Sequence, residues 1–536
     1  RVHQGAAREP GLSETDARAL LDVLIESDAD LRNTTPAPEL LNREAAIQQE
    51  LSIQSLRQIT GEHVTTEQAR KVELLIAQLH EIDAEIRSKN PRYAALTRPV
   101  SPSLAQVQGD LLGRDQMLLE YSLGNERSYL WAVTQTSVKS YVLPGRGEIE
   151  RAVTRFIDFL TARNTQVQGE TDAAEESRIR RADAGYLASA ASLAQTLGLD
   201  RATSDSTAGR LLIVADGELQ YLPFAAVLVP SKGTHKLEAK HVRPQFDYGE
   251  SLVPLLVHYE IEEPPSMAVV AELRRERLER SLPAPGKTIA VVADPVFSAS
   301  DERCCTRTRR AASVANDTPL PPVSKQASLA LQAMKKSRTM DQESSIVDRR
   351  GRIIRLAFAG REAAEIFKLV SPEEQLQATG FDANLALLTS GTGLSSYKIV
   401  HFATHGWLNP DYPELSGILL SMIDEQGKPR NGVLQMHQIF NLRLPAELVV
   451  ISACETGIGK KIRGEGLNAL SRGFMYAGAR RVVASLWKVN DGSTSGLMNH
   501  FYGELKLRAG VNFTQTRPAA ALRAAQFVWC TDSPVT

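Results

Sequence analysis

Two residues with reactive side chains, a histidine and a cysteine, each follow a run of apolar residues in the second half of the chain. His405 stands near the end of "KIVHFATHG", and Cys454 near the end of "ELVVISACETG". A thiol needs a nearby imidazole to become a thiolate near neutral pH, because free cysteine ionises at about pH 8.5. The imidazole can then protonate a leaving amine. We therefore expect Cys454 to act as a nucleophile and His405 as its general base.

Each of these residues also has a simpler interpretation. A buried cysteine is more often an inert packing residue, and His401, in the same apolar run as His405, is expected to be a core histidine. The pair favours chemistry because the strands of an open α/β sheet present site residues at their carboxyl ends, so both side chains would emerge along one edge. The chain between them has room for one strand-turn-helix unit, which would let the two strands lie side by side.

Gly406 follows the histidine and could supply a backbone donor. Because glycine has no Cβ, its N–H can approach a carbonyl oxygen closely. Together with the N–H of Cys454 it would form an oxyanion hole.

Neither the cysteines nor the glycine-rich segments indicate a cofactor. The chain has four cysteines, Cys304, Cys305, Cys454 and Cys530, and their spacing fits neither a disulfide framework nor a zinc site. The segment "GIGKKIRGEG" lacks the spacing of a phosphate-binding loop, and we interpret it as a mobile loop beside the site. We expect no metal ion, no organic cofactor and a reducing, cytoplasmic setting.

Apolar runs alternate with helical patterns around these two residues. The predicted strands of the second half are "KTIAVVADPVF", "KIVHFATHG", "GILLSMI", "ELVVISACETG" and "RRVVASLW". A helix is predicted at "VLQMHQIFNL", between the third and fourth of these strands. Such alternation predicts an α/β fold, with a mostly parallel sheet covered by helices on both faces. Residues 299–352 interrupt the pattern with a stretch rich in Ser, Ala, Arg and Lys. We predict an inserted mobile loop there, which is either a solvated loop without a role or a regulatory or processing segment.

Upstream, two further regions differ in pattern. Residues 101–285 contain the strand-like segments "MLLEYSLGNERSYLWAVTQ", "VKSYVLP" and "RLLIVADGELQYLPF", separated by helical stretches. Residues 1–100 are helical, with apolar residues spaced by three and four from Val72 to Ile86. We therefore predict an α-helical hairpin region at 1–100, a first α/β part at 101–285, and a catalytic part at 286–536 that carries the 299–352 insertion.

Composition excludes several classes of function. The chain has 536 residues and a formal net charge of −1. This balance lacks the excess of positive charge that is typical of proteins that bind nucleic acid or a membrane surface. No apolar run approaches the roughly 18 residues of a membrane span. No secretory signal is visible at the start, which lacks an initiator Met and could lie inside a longer reading frame.

The segments around His405 and Cys454 resemble a known family, the CHAT domain, a caspase- and separase-like group of cysteine peptidases. The resemblance rests on "VHFATHGWLNPDYPELSGILLS" and "LVVISACETGIGKKIRGEGLNALSRGFMYAGARRVVASLWKVND", and extends upstream through "DGELQYLPFAAV", "LLEYSLGNERSYLWAV" and "ELLNREAAIQQEL". It implies a caspase-hemoglobinase fold in which His405 matches the general base and Cys454 the nucleophile. Such domains commonly follow tetratricopeptide repeats, which would explain the helical start.

The resemblance also suggests how a substrate would be chosen. It implies an extended peptide laid beside a strand, with a pocket for the side chain at P1, the residue before the scissile bond. Two acids stand near strand ends, Asp491 in "SLWKVND" and Asp294 in "VVADP". We expect them to select Arg or Lys at P1, although Asp491 could instead cap a helix that starts near Ser493. A basic preference would make the dibasic pairs within 299–352 candidate self-cleavage sites.

The hypothesis from the sequence is therefore a cysteine endopeptidase that acts on a protein substrate and is activated by a protein partner at the N-terminal helices. Two alternatives stay open. One is another acyl transfer by a cysteine and a histidine, such as a transpeptidase. The other is a scaffold or signalling module whose dyad is vestigial.

Overall fold

The structure is a computed structural model. Besides a few single positions, it describes residues 66–89, 100–165, 169–231, 252–279, 285–304, 352–389, 393–407, 416–440, 444–452, 466–486, 491–509 and 517–532. The chain divides into two compact units, Arg1–Gln54 with Val64–Val100, and Ser55–His63 with Ser101–Thr536.

The first unit contains the helix α1, Thr66–Lys89. Val72, Leu79 and Ile82 are buried along one side of it, which matches the apolar spacing in the sequence. The helix ends just before Asn90 and Pro91, as expected from the restriction that proline places on the preceding residue. The rest of the predicted α-helical hairpin region at 1–100 lies almost wholly outside the described residues.

The first half of the second unit is built on a mixed sheet. Its strands are β1 Gln116–Ser122, β2 Ser128–Val133, β3 Val138–Leu143, β4 Arg210–Val214, β5 Leu228–Pro230, β6 Leu252–Pro254 and β7 Glu260–Glu262. Its helices are α2 Leu104–Gln106, α3 Arg146–Thr161, α4 Asp172–Thr196, α5 Leu199–Thr203, α6 Leu255–His258 and α7 Met267–Glu279. The sheet order is β3-β2-β1-β4-β7, in which β4 runs parallel to β1 and β7, and β5 pairs with β6 separately.

Side chains alternate between the two faces of this sheet, so each face has its own core. Leu119 of β1 packs in a cluster with Phe156 of α3 and Leu193 of α4. Its neighbour Leu118 points the other way and packs in a cluster with Met267 of α7. The strands predicted in "MLLEYSLGNERSYLWAVTQ" and "VKSYVLP" correspond to β1, β2 and β3 and are confirmed.

The second half of this unit carries a parallel sheet. Its strands are β8 Lys287–Pro295, β9 Gln375–Gly380, β10 Tyr397–Ala403, β11 Gly406–Trp407, β12 Gly417–Leu419, β13 Val433–Gln435, β14 Leu448–Ile451 and β15 Val482–Ala484. Its helices are α8 Ala359–Phe367, α9 Leu385–Thr389, α10 Met436–Phe440, α11 Gly466–Tyr476, α12 Asp491–Ala509 and α13 Pro518–Asp532. The five strands in the order β15-β14-β10-β8-β9 are all parallel, and β11, β12 and β13 form a small antiparallel sheet.

Helices cover both faces of the parallel sheet. Phe402 of β10 packs in one cluster with Phe474 of α11. Ile399 of the same strand packs in the opposite cluster with Ile366 of α8 and Phe501 of α12. The strands are therefore buried on both sides, which explains their continuous apolar sequences. The α/β fold class with a mostly parallel, two-sided sheet is confirmed.

Two features of this half differ from the sequence prediction. Strand β9 was not predicted, because "QLQATG" is short and has only two apolar residues, Leu376 and Ala378. The segment "VLQMHQIFNL", predicted as one helix, contains the strand β13 followed by the short helix α10. Most of the 299–352 insertion lies outside the described residues; its two borders, to Cys304 and from Arg352, are described.

A buried polar triad joins β10 to two helices of one face, α8 and α12. The Nε2 atom of His401 lies 2.8 Å from Oε1 of Glu362 in α8, at ion-pair distance but out of line for a hydrogen bond. Its Nδ1 atom lies 3.0 Å from the hydroxyl of Tyr502 in α12. All three side chains are almost fully buried, and burial together with the Glu362 carboxylate raises the pKa of the Tyr502 phenol. His401 is thus a core histidine, as the sequence predicted.

Removing one member of this triad should destabilise the fold. Tyr502→Phe leaves the Nδ1 atom of buried His401 without its partner, which costs about 1–3 kcal/mol. We expect a lower midpoint of urea unfolding, whereas Tyr129→Phe, at a residue that is 39% exposed, should leave the midpoint unchanged. Equal midpoints for both variants would show that the triad contributes no stability.

Candidate active site

The carboxyl ends of β10 and β14 meet at one edge of the parallel sheet. Phe402 pairs with Ile451 in the register of the two strands, and the N–H of Ser452 donates to the carbonyl of Phe402 at 2.8 Å. His405 follows Phe402 by three residues, and Cys454 follows Ile451 by three residues. The side-by-side arrangement predicted for the two strands is confirmed. Cys454 itself lies outside the described residues.

His405 lies in a turn after β10 that hydrogen bonds hold in place. The predicted strand was longer; β10 ends at Ala403 because the chain turns there toward β11. The Thr404 hydroxyl donates to the carbonyl of Leu419 at 2.7 Å, and the N–H of Leu419 donates to the carbonyl of His405 at 2.8 Å. The His405 side chain is buried, and the ring of Phe297 lies 5.7 Å from it between centroids.

A backbone carbonyl determines which nitrogen of His405 carries the proton. The Nε2 atom lies 2.6 Å from the carbonyl oxygen of Ile354, in the segment that leads into α8. A carbonyl oxygen can only accept, so Nε2 must donate. In the neutral ring, Nδ1 is then the basic nitrogen. This contact orients the imidazole from the side opposite its basic atom, as the third member of a catalytic triad does.

Gly406 opens β11, and the ladder with β12 determines where its N–H points. The hydrogen bond between Leu419 and His405 makes those two residues a hydrogen-bonded pair. Gly406, the next residue along, stands opposite Ile418. Because hydrogen-bonded and non-hydrogen-bonded pairs alternate in an antiparallel ladder, the N–H of Gly406 points away from β12. That direction is compatible with the predicted oxyanion donor.

Asp294 lies at the carboxyl end of β8, the other neighbour of β10. Ala293 pairs with Ala403, so Asp294 is at the same sheet edge as His405. Among the described residues it is the one non-glycine residue with a positive φ, 49°. Aspartate tolerates this left-handed conformation better than most residues. Strained backbone of this kind is often found at functional sites.

Two arginines of the chain itself bind the buried carboxylate of Asp294. Arg355 donates through Nε to Oδ1 and through Nη2 to Oδ2, both at 2.8 Å, in a bidentate pair. Arg303 places Nη1 2.9 Å from Oδ2 and also donates to the Asp294 carbonyl at 2.8 Å. The hydrogen bonds to Asp294 raise the pKa of Arg355 further. The two arginines come from opposite borders of the 299–352 insertion, so Asp294 binds both borders.

Asp491 is the first residue of α12, which begins two residues earlier than predicted. Its side chain lies outside the described part of the chain, so the P1 pocket and the helix cap both stay predictions for this residue.

The structure thus brings together His405, Gly406 and Asp294 among the residues predicted from the sequence. It adds Ile354 and Arg355, which link the histidine to the aspartate through consecutive residues. A backbone carbonyl leaves no signature in a sequence, and Arg355 is one of 62 lysines and arginines, so neither could be recognised. Within the described ranges, no group of three or more His, Cys, Asp or Glu side chains could hold a metal ion.

The turn that carries His405 should depend on the Thr404 hydroxyl. Thr404→Val removes a buried donor and leaves the Leu419 carbonyl without it, at a cost of about 1–3 kcal/mol. We expect faster hydrogen–deuterium exchange of the amides of residues 405–407. Thr203 offers a matched control, because its buried hydroxyl also donates to a carbonyl at 2.7 Å, that of Leu199. Thr203→Val should leave exchange at 405–407 unchanged; equal exchange in both variants would contradict the role of Thr404.

No described helix has the length and apolar character needed to cross a bilayer.

Comparison with known proteins identifies a family for most of the second unit. The family model described as "CHAT domain" matches residues 187–535. Tetratricopeptide repeat protein 28 of Homo sapiens is 29% identical over 110 residues, which are 20% of this chain and 4% of that protein. The Mus musculus protein of the same name is 34% identical over 76 residues, 14% of this chain and 3% of that protein. This chain therefore spans a small part of the length of these relatives.

Among solved structures, the chain resembles a crystal structure of the Saccharomyces cerevisiae separase–securin complex. The match has a TM-score of 0.27 and 12% identity, and covers 91% of this chain and 27% of the other. It is a loose overall likeness.

Proposed function

Since this chain belongs to the CHAT domain family, we propose that it is a cysteine endopeptidase that cleaves a protein substrate through His405 and Cys454. The observation that supports this most strongly is the register of β10 and β14. Phe402 lies opposite Ile451, so the two reactive residues follow paired positions by equal lengths of chain. In an α/β sheet this is the edge where active sites form.

The proposed reaction begins at the thiol. Nδ1 of His405 takes the proton of Cys454, and the sulfur attacks the carbonyl carbon of the scissile peptide bond. The resulting oxyanion accepts hydrogen bonds from the N–H groups of Gly406 and Cys454. The carbon–nitrogen bond then breaks, and the amine leaves with the proton that His405 carried. Water, deprotonated by the same imidazole, hydrolyses the thioester and restores the thiol.

The carbonyl of Ile354 supports this scheme because it holds the imidazole in the required tautomer. As His405 becomes doubly protonated, the Nε2–H bond to this oxygen strengthens and stabilises the imidazolium. A neutral carbonyl does here what a carboxylate does in a Ser-His-Asp triad.

A protein partner is part of the proposal. The curated relatives are named for tetratricopeptide repeats, and α1 presents an amphipathic helix in the first unit. We place the binding of an activating protein in this N-terminal helical region.

An electrophilic peptide probe tests the proposed nucleophile and base directly. A peptide acyloxymethyl ketone should label the protein at Cys454, because the thiolate displaces its leaving group. Labelling should be absent in Cys454→Ala and reduced by about two to four orders of magnitude in His405→Ala, the range of a general base. Cys304→Ala is the control and should be labelled like the parent. No labelling of the parent, with candidate activating proteins present, would contradict the peptidase and favour the scaffold.

The expected P1 preference can be tested with a library of peptide substrates. We expect cleavage after Arg or Lys, with Asp491 as the acid that recognises the basic side chain. Asp491→Asn should lower kcat/KM for basic P1 residues about tenfold or more, with little effect on a neutral P1 residue, because a charge-assisted hydrogen bond is lost. Cleavage after Asp or Leu in the parent would contradict this preference.

A further inference from the structure

The segment that carries the Ile354 carbonyl is partly exposed before it enters α8. Ile354 is 47% exposed and Phe358 39% exposed, whereas the partly buried Leu356 packs against the cluster that contains Ile366 and Phe501. The N–H of Ile354 donates to the carbonyl of Ile346 at 2.8 Å, and Ile353 packs beside Ile346 and Leu419. Arg355, one residue after the carbonyl that orients His405, makes a charged contact with Asp294.

From this arrangement we infer that Asp294 is a positioning residue for the histidine. Its carboxylate fixes the Arg355 guanidinium, which fixes the Ile354 carbonyl on Nε2 of His405. The inference rests on the proposed function, in which His405 is the general base. It gives Asp294 a different role from the P1 pocket predicted from the sequence, because the carboxylate is already occupied by two guanidinium groups.

The geometry of the Arg355 pair explains how a side chain can fix a backbone atom. Two parallel hydrogen bonds, both 2.8 Å, hold the guanidinium plane in one orientation. The side chain is 37% exposed and its carboxylate partner 10% exposed, so water screens this pair less than it screens a surface pair. Arg355 also contacts Glu302 at 3.1 Å, but that carboxylate is 81% exposed and contributes little.

Asp294 is itself held from two directions. Arg303 donates to its carbonyl and contacts its carboxylate. The same guanidinium donates through Nε and Nη2 to the carboxylate of Asp301, at 2.8 and 2.7 Å. These bonds lower the pKa of Asp301, so its charge persists into acid solution and is lost only as the pH falls through the lowered pKa. The chain Arg303–Asp294–Arg355 therefore binds the turn after β8 to the segment before α8.

The test compares Asp294→Asn with Glu302→Gln. Asparagine also tolerates a positive φ, so Asp294→Asn removes the charge and keeps the backbone conformation. Glu302→Gln is the matched control, because it removes the other carboxylate that contacts the same arginine. We expect Asp294→Asn to lower kcat about 10- to 100-fold with KM within about twofold, the effect of a misplaced catalytic group. Glu302→Gln should change neither constant by more than about twofold.

A spectroscopic readout separates positioning from general destabilisation. In the parent, the ¹⁵N resonances of His405, assigned with His405→Ala, should show the proton on Nε2. In Asp294→Asn they should show a mixture of both tautomers and a lower pKa for the imidazole, since the carbonyl no longer stabilises the imidazolium. Arg355→Lys, which keeps the charge without the bidentate geometry, should be intermediate.

The outcomes distinguish this inference from the proposed function. If Asp294→Asn keeps the parent tautomer and the parent kcat, the positioning role is wrong even when the parent cleaves peptides. If Asp294→Asn lowers kcat/KM only for substrates with a basic P1 residue, through a higher KM, the result would favour the P1 pocket and would also overturn the positioning role. If the parent cleaves no peptide but the tautomer of His405 changes in Asp294→Asn and not in Glu302→Gln, the positioning role holds and the proposed peptidase activity is wrong.

Discussion

The parallel pairing of β10 with β14 at the centre of the second sheet is the constraint on which the rest of the site depends. Both strands are buried on both faces, so a shift of one residue in their register would turn every apolar side chain toward the wrong core. Phe402 packs against Phe474, and its position opposite Ile451 is fixed by the same packing. The relative position of the two strand ends therefore depends on hydrophobic burial.

Polar contacts fix the chain beyond the ends of β10 and β8. The chain leaves β10, is held by Leu419 of β12, and presents His405 with its Nε2 atom on the Ile354 carbonyl. β8, on the other side of β10, ends in Asp294, whose strained backbone and two arginines connect the sheet edge to the segment before α8. Three neighbouring strand ends thus contribute a proposed nucleophile, its proposed base and the carboxylate to which we assign the orientation of that base.

The sequence correctly predicted those strands of the parallel sheet that are marked by a run of apolar residues. Strands β8, β10, β14 and β15 are β-branched or apolar runs, and their alternation with helices predicted a parallel sheet. Strand β9 was missed because it is short and has only two apolar residues. The change from β13 to α10 was missed because both segments contain apolar residues.

Within the site, His405 and Asp294 could be recognised because each ends an apolar run. Their connection could not, since it runs through the main chain of Ile354 and through an arginine from beyond a long insertion. Contacts between residues so far apart in sequence depend on tertiary structure. The buried triad of Glu362, His401 and Tyr502 is a further case, because only the burial of His401 was predictable.

The central claim is that His405 activates Cys454, and the pH dependence of the thiol's reactivity tests it most directly. The rate at which iodoacetamide alkylates Cys454 can be followed by peptide mass mapping between about pH 5 and 10. The account predicts a thiolate that forms with a pKa of about 7.5 or lower in the parent and near 8.5 in His405→Ala. A pKa near 8.5 in both proteins would contradict it.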